Sequence, residues 1–107
     1  MKTKIQPLVD IIDFEKAFYL YFDLPGVNES NLDVDVEANI LSVHAKQTIG
    51  DPSHPETYRE KIYESRYELG ETIDVEKINA KLDHGVLKLD LPKIAKKSPS
   101  KIKIEVA

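Results

Sequence analysis

A chain of 107 residues makes one domain and leaves no room for a second catalytic or binding unit. A charged share of 32%, a hydrophobic share of 41% and a net charge of -4 describe a water-soluble globular protein with no electrostatic call for nucleic acid. The absence of cysteine excludes disulfides, thiolate metal sites and thiol catalysis, and no apolar run suits a signal peptide or membrane span, so the cytoplasm is the expected compartment.

In chain order, residues 1–6 read as a short extension, and from residue 7 the dominant period is two. Residues 9–14 alternate, and residues 18–24 put Phe18, Leu20, Phe22 and Leu24 on one face with the tyrosines on the other. In Leu32–Glu37 apolar and acidic residues alternate without a fault, as a strand between core and water requires and a helix would not. Residues 40–45, 63–69, 78–82 and 86–91 repeat the pattern, giving about seven strands. Pro25-Gly26, Ala38-Asn39, Asp51-Pro52, Leu69-Gly70 and His84-Gly85 fall between them as turn signals. The expected fold is all-β, an immunoglobulin-like sandwich of about seven to eight antiparallel strands.

Three segments depart from alternation. Residues 48–57, with Gly50, Pro52 and Pro55, read as a loop longer than a hairpin needs. Asp74 is placed to cap one helical turn over residues 74–77. Residues 94–100 are Lys-rich and include Ser98-Pro99-Ser100, a linker composition, before Ile102-Lys103-Ile104 resumes the period of two. The basic cluster Lys93, Lys96, Lys97, Lys101 and Lys103 reads as a solubilising tail. The domain is thus expected over residues 7–93, with a C-terminal extension over 94–107.

Several motifs, in this order and spacing, resemble the α-crystallin domain of bacterial and archaeal-type small heat-shock proteins. They are Pro7-Leu8-Val9-Asp10-Ile11, the turn Leu24-Pro25-Gly26-Val27, the run from Ala80 to Gly85-Val86-Leu87 with Leu89-Asp90-Leu91-Pro92-Lys93, and Ile102-Lys103-Ile104. The resemblance implies an ATP-independent holdase that binds unfolding client proteins and assembles with copies of itself. It also implies that Ile102 and Ile104 form an anchor for a groove walled by Val34, Val36, Ile78, Ala80 and Leu82. Two side chains spaced by two enter one groove together, and burying them contributes roughly 3–6 kcal/mol before the linker is ordered. By residue type alone the five groove positions read equally as ordinary core, and Ile102 and Ile104 as a last strand of the domain.

The resemblance further implies a dimer made by strand exchange, with Tyr58, Arg59 and Glu60, on a short strand inside the long loop, pairing with Val9 and Ile11 of a partner; a loop without structure is the other reading. Many members place an arginine at the dimer interface, where this chain has Ser65, and the adjacent Arg66 points to the opposite face unless a bulge intervenes. Members also carry a long apolar N-terminal region, whereas six residues precede Pro7 here. Two readings stand, a naturally short member, which the initiating Met1 favours, and a truncated piece of a longer one, and the resemblance in this respect gives large assemblies and strong activity less support. The rival function is a co-chaperone-like binding module of the same sandwich, a class that lacks the Ile-X-Ile anchor. His44, His54 and His84 show no metal-ligand spacing, and no catalytic, cofactor or metal motif is present, so neither an enzyme nor a membrane or nucleic-acid partner is expected.

Overall fold

The computed structural model describes residues 2–94, 105 and 106. Among the described residues eight strands run in order: β1 (Lys2–Ile5), β2 (Val9–Asp13), β3 (Ala17–Asp23), β4 (Leu32–Glu37), β5 (Ile40–Ile49), β6 (Arg59–Glu68), β7 (Asn79–Asp83) and β8 (Val86–Pro92). They form two four-stranded sheets, β1-β6-β5-β4 and β2-β3-β8-β7. Every pairing is antiparallel except that of β1 with β6, which is parallel.

The alternation in the sequence becomes the sandwich interior. Leu20 and Phe22 of β3, Leu41, Val43 and Ala45 of β5, Tyr63 of β6, and Leu87, Leu89 and Leu91 of β8 are buried between the sheets. Full burial stabilises by about 1.5–3 kcal/mol for each large apolar side chain, so the four central strands hold the fold together. Strands at the sheet edges differ. Leu32, Val34 and Val36 of β4 and Leu82 of β7 are only half-buried against that core, and β2 has no fully buried residue.

Two-residue turns set the hairpin registers. Ala38 (φ 50°) and Asn39 (φ 62°) join β4 to β5, and His84 (φ 48°) and Gly85 (φ 78°) join β7 to β8. Positive φ at both central positions matches the twist of the flanking strands. Gly85 is pressed against the Leu24-Pro25 turn: its carbonyl accepts from Leu24 N–H at 2.7 Å, and a β-carbon there would lie 3.3 Å from Pro25 Cα. Two of the motifs that carry the resemblance, the Leu24-Pro25-Gly26-Val27 turn and Gly85-Val86-Leu87, therefore meet in space.

Four features differ from the sequence-based expectations. The segment before Pro7 is a strand, Lys2–Ile5, because it finds the edge of β6 at Glu60–Tyr63. Strands β5 and β6 extend to Ile49 and from Arg59, which shortens the loop to residues 50–58. Asp74 does precede a 3-10 turn (Val75–Lys77), but makes no side-chain cap; its carboxylate lies 3.8 Å from Lys77 Nζ. A second 3-10 turn, Glu29–Asn31, has no counterpart in the sequence reading.

Lys93 also leaves the basic tail and joins the fold: its ammonium binds the Asp13 carboxylate, donates to Phe14 O at 2.6 Å and sits 4.4 Å above the Phe18 ring.

Candidate functional site

Two edge strands, β4 of one sheet and β7 of the other, flank an open groove of about 410 Å³. Leu32 and Val34 line one side, Ala80 and Leu82 the other, and Leu87 lies between them, with Glu29 and Lys81 as the charged members. The groove exists because each sheet ends there. Central strands have neighbours on both sides, whereas the half-buried apolar faces of β4 and β7 have no further strand to cover them among the described residues.

Of the five residues expected to wall a groove, the structure brings Val34, Ala80 and Leu82 together. Val36 and Ile78, which pack against the core as Val34 and Leu82 do, are not among its lining residues; Ile78 closes the 3-10 turn ahead of β7. Leu32 and Leu87 were missed, although both were countable: Leu32 shares the face of Val34, and Leu87 is the cross-strand partner of Leu82 across the His84-Gly85 turn. Ile102 and Ile104 lie outside the described residues.

The free edge of β2 is the second surface. Val9 is half-buried opposite Phe22, but Ile11, opposite Leu20, is 54% exposed, and Leu8, Ile12 and Phe14 flank it as further exposed apolar side chains. A strand edge with exposed apolar residues is a template for pairing with another chain. Of these residues, sequence reasoning singled out only Val9 and Ile11, since alternation alone does not say which strand ends a sheet.

Tyr58, Arg59 and Glu60 do not form a separate strand within the loop. Arg59 and Glu60 are the first rungs of β6, opposite Ile49 and Thr48, and Tyr58 ends the loop. The loop's backbone donors are spent on consecutive turns, His54 N–H to Asp51 O at 2.9 Å and Thr57 N–H to His54 O at 2.9 Å. The Tyr58 hydroxyl donates to Glu60 Oε1 at 2.8 Å, and this bond to the carboxylate raises the phenol above its ordinary pKa. Ser53 N–H donates to Asp51 Oδ1 at 2.9 Å and holds that carboxyl below its usual range.

Ser65 is buried at 4% exposure and its hydroxyl has no partner among the described residues, while Arg66 is exposed on the opposite face. No bulge brings Arg66 inward: the β5–β6 register runs without interruption from Ile40↔Glu68 to Ile49↔Arg59. The histidines make short-range contacts, His44 with Glu64 at 3.6 Å, His54 with Asp51 at 3.3 Å and His84 with Asp83 at 2.6 Å. No three His, Cys, Asp or Glu residues group as metal ligands among the described residues.

The chain matches the Hsp20/alpha crystallin family over residues 10–107. It is 36% identical over 92 residues to the 18 kDa antigen 1 of Mycobacterium intracellulare, covering 83% of this chain and 62% of that protein. It is 35% identical over 105 residues to a probable 15 kDa heat shock protein of Leptospira interrogans, covering 95% and 78%. The first curated relatives are longer, and the chain spans only 60% to 65% of their length. Among solved structures, a small heat-shock protein from Xylella fastidiosa superposes with a TM-score of 0.71 at 27% identity, covering 94% of this chain and 96% of that one.

Proposed function

The chain belongs to the Hsp20/alpha crystallin family, whose members are ATP-independent chaperones and not enzymes, and from that premise we propose that it is a holdase for unfolding proteins. The observation that carries this reading is the pair of unfilled apolar surfaces, the β4/β7 groove and the β2 edge. Each offers a partner apolar contact together with unpaired backbone groups, the combination by which an extended segment binds a sheet edge. Such surfaces take in any apolar strand, which suits capture of clients without a fixed sequence.

The same surfaces account for self-assembly. Residues 94–107 act as a C-terminal extension, and Ile102 and Ile104 enter the groove of a neighbouring subunit beside Leu32, Val34, Ala80 and Leu82. The β2 edge, with Val9 and Ile11, takes a second copy's Tyr58, Arg59 and Glu60, released from the last rungs against β5 and, at Glu60, from the first rung against β1.

The test is light scattering from a heat-labile client warmed with the protein and no nucleotide. Suppression near one subunit per client is expected; aggregation that proceeds unchanged at molar excess overturns the holdase reading. Native mass of the parent beside Ile102→Ala/Ile104→Ala tests assembly separately. Loss of species above the dimer in the variant supports the anchor, and identical masses refute it.

A further inference from the structure

We infer that the outer face of β4 sets the direction and register of the C-terminal segment: Asp33 and Asp35 receive Lys103 and Lys101 from a segment lying antiparallel along β4. This assignment rests on that segment being the occupant of the β4/β7 groove.

Strand β4 has β5 on one side and no strand on the other among the described residues. Its groove-side residues Leu32 and Val34 alternate with Asp33, Asp35 and Glu37, all exposed on the outer face. None of these three acids has an ion pair among the described residues. Their cross-strand neighbours on β5 are His44, Ser42 and Ile40, and His44 already contacts Glu64. Three like charges at alternate positions on a free edge favour an incoming strand that carries the opposite sign.

The C-terminal sequence Lys101-Ile102-Lys103-Ile104-Glu105 has that pattern. Residues opposite one another on paired strands share a face, so isoleucines in the groove put Lys101, Lys103 and Glu105 on the acidic side. Only some registers suit both faces. A parallel segment with Ile102 beside Val34 sets Glu105 against Glu37, and one shifted to put Ile102 beside Leu32 sets Glu105 against Asp35. An antiparallel segment with Lys103 opposite Asp33 and Lys101 opposite Asp35 places Ile102 beside Val34 and Ile104 beside Leu32. Those are the two β4 side chains that line the groove. In that register Glu105 passes beyond the acids to Asn31. Shifting it by two residues toward Glu37 brings Glu105 onto Asp33 and moves Ile102 to Val36, outside the groove.

Variants of the whole 107-residue chain followed by native mass and sedimentation over a concentration series test this. An opposite-charge cross-strand pair changes an association constant by about two- to fivefold, so Asp33→Lys/Asp35→Lys, or Lys101→Asp/Lys103→Asp, raises the assembly midpoint about tenfold at low salt. Combining all four substitutions restores most of the loss, and the differences shrink at about 1 M salt, where the screening length is about 3 Å. Glu37→Lys, which has no lysine opposite, leaves the midpoint near the parent's. Single exchanges read the direction: Asp33→Lys is rescued by Lys103→Asp better than by Lys101→Asp.

Folded double variants that assemble like the parent, or a fourfold variant no better than either double, overturn the charge pairing. Rescue of Asp33→Lys by Lys101→Asp instead overturns the antiparallel register. If Ile102→Ala/Ile104→Ala leaves the mass unchanged, the occupant itself is wrong and the pairing falls with it. If that variant collapses while the charge variants do not, the pairing alone has failed.

Discussion

Replacing Gly85 by alanine should destabilise the fold by an amount that its surroundings set. The residue sits at φ 78°, where a side chain costs about 1–2 kcal/mol. The added methyl would also lie 3.3 Å from Pro25 Cα and 3.4 Å from Leu24 O, both backbone atoms that cannot rotate aside. Moving the hairpin off that turn lengthens the 2.7 Å bond from Leu24 N–H to Gly85 O, a bond with a net worth of about 0.5–1.5 kcal/mol. Against these stands the stiffer unfolded chain of the alanine variant, worth about 0.4–1 kcal/mol. The balance is a loss of about 2 kcal/mol.

Urea unfolding followed by circular dichroism, at one protein concentration because assembly feeds into apparent stability, is the assay. With a slope of about 1–1.5 kcal/mol per molar, the midpoint should fall by about 1.5 M. Gly70→Ala is the control, since Gly70 has no positive φ and its nearest atom to an added methyl is the Thr72 hydroxyl at 3.8 Å. A Gly85→Ala midpoint within about 0.3 M of the parent, or a Gly70→Ala shift as large, would refute the reasoning.

Ala38 carries the opposite strain, a non-glycine residue at φ 50° in the other two-residue turn, so Ala38→Gly should stabilise by about 0.5–1 kcal/mol, read as a rise in the same urea midpoint. Ser65→Ala removes a buried hydroxyl with no partner among the described residues and should gain about 1 kcal/mol; a loss would mean that the hydroxyl is satisfied in solution. For the loop, Asp51 is held below its ordinary pKa of 3.8 chiefly by the Ser53 N–H, so the folded loop favours the carboxylate. That contribution is complete above the unfolded value and is lost as pH falls through the lowered one. Titration of the Ser53 amide shift by NMR should therefore have its midpoint below 3.8, and a midpoint at or above it contradicts the turn.

The strands were legible because burial of one sheet face writes a period of two into the chain. Leu32–Glu37 and the run from Val86 to Leu91 were readable before any coordinates, and the glycine and asparagine signals marked the turns between them. The Gly-Val-Leu motif and the Leu24-Pro25 turn were each legible, though the packing of Gly85 against that turn was not. Strand β1 left little trace, since Lys2-Thr3-Lys4-Ile5 has one apolar residue and finds its parallel partner more than fifty positions away.

The sequence by itself determined that the chain is all-β, which residues alternate, and where the hairpins turn. These depend on neighbours a few residues apart. Tertiary structure alone decided which alternating strands are interior and which are edges. Val34 and Val43 have the same local pattern and face one another across β4 and β5, yet Val43 is 1% exposed and Val34 half-open. The difference comes from sheet order, in which β5 has neighbours on both sides and β4 on one. Sheet order is a relation between distant segments, and the groove exists only because of it.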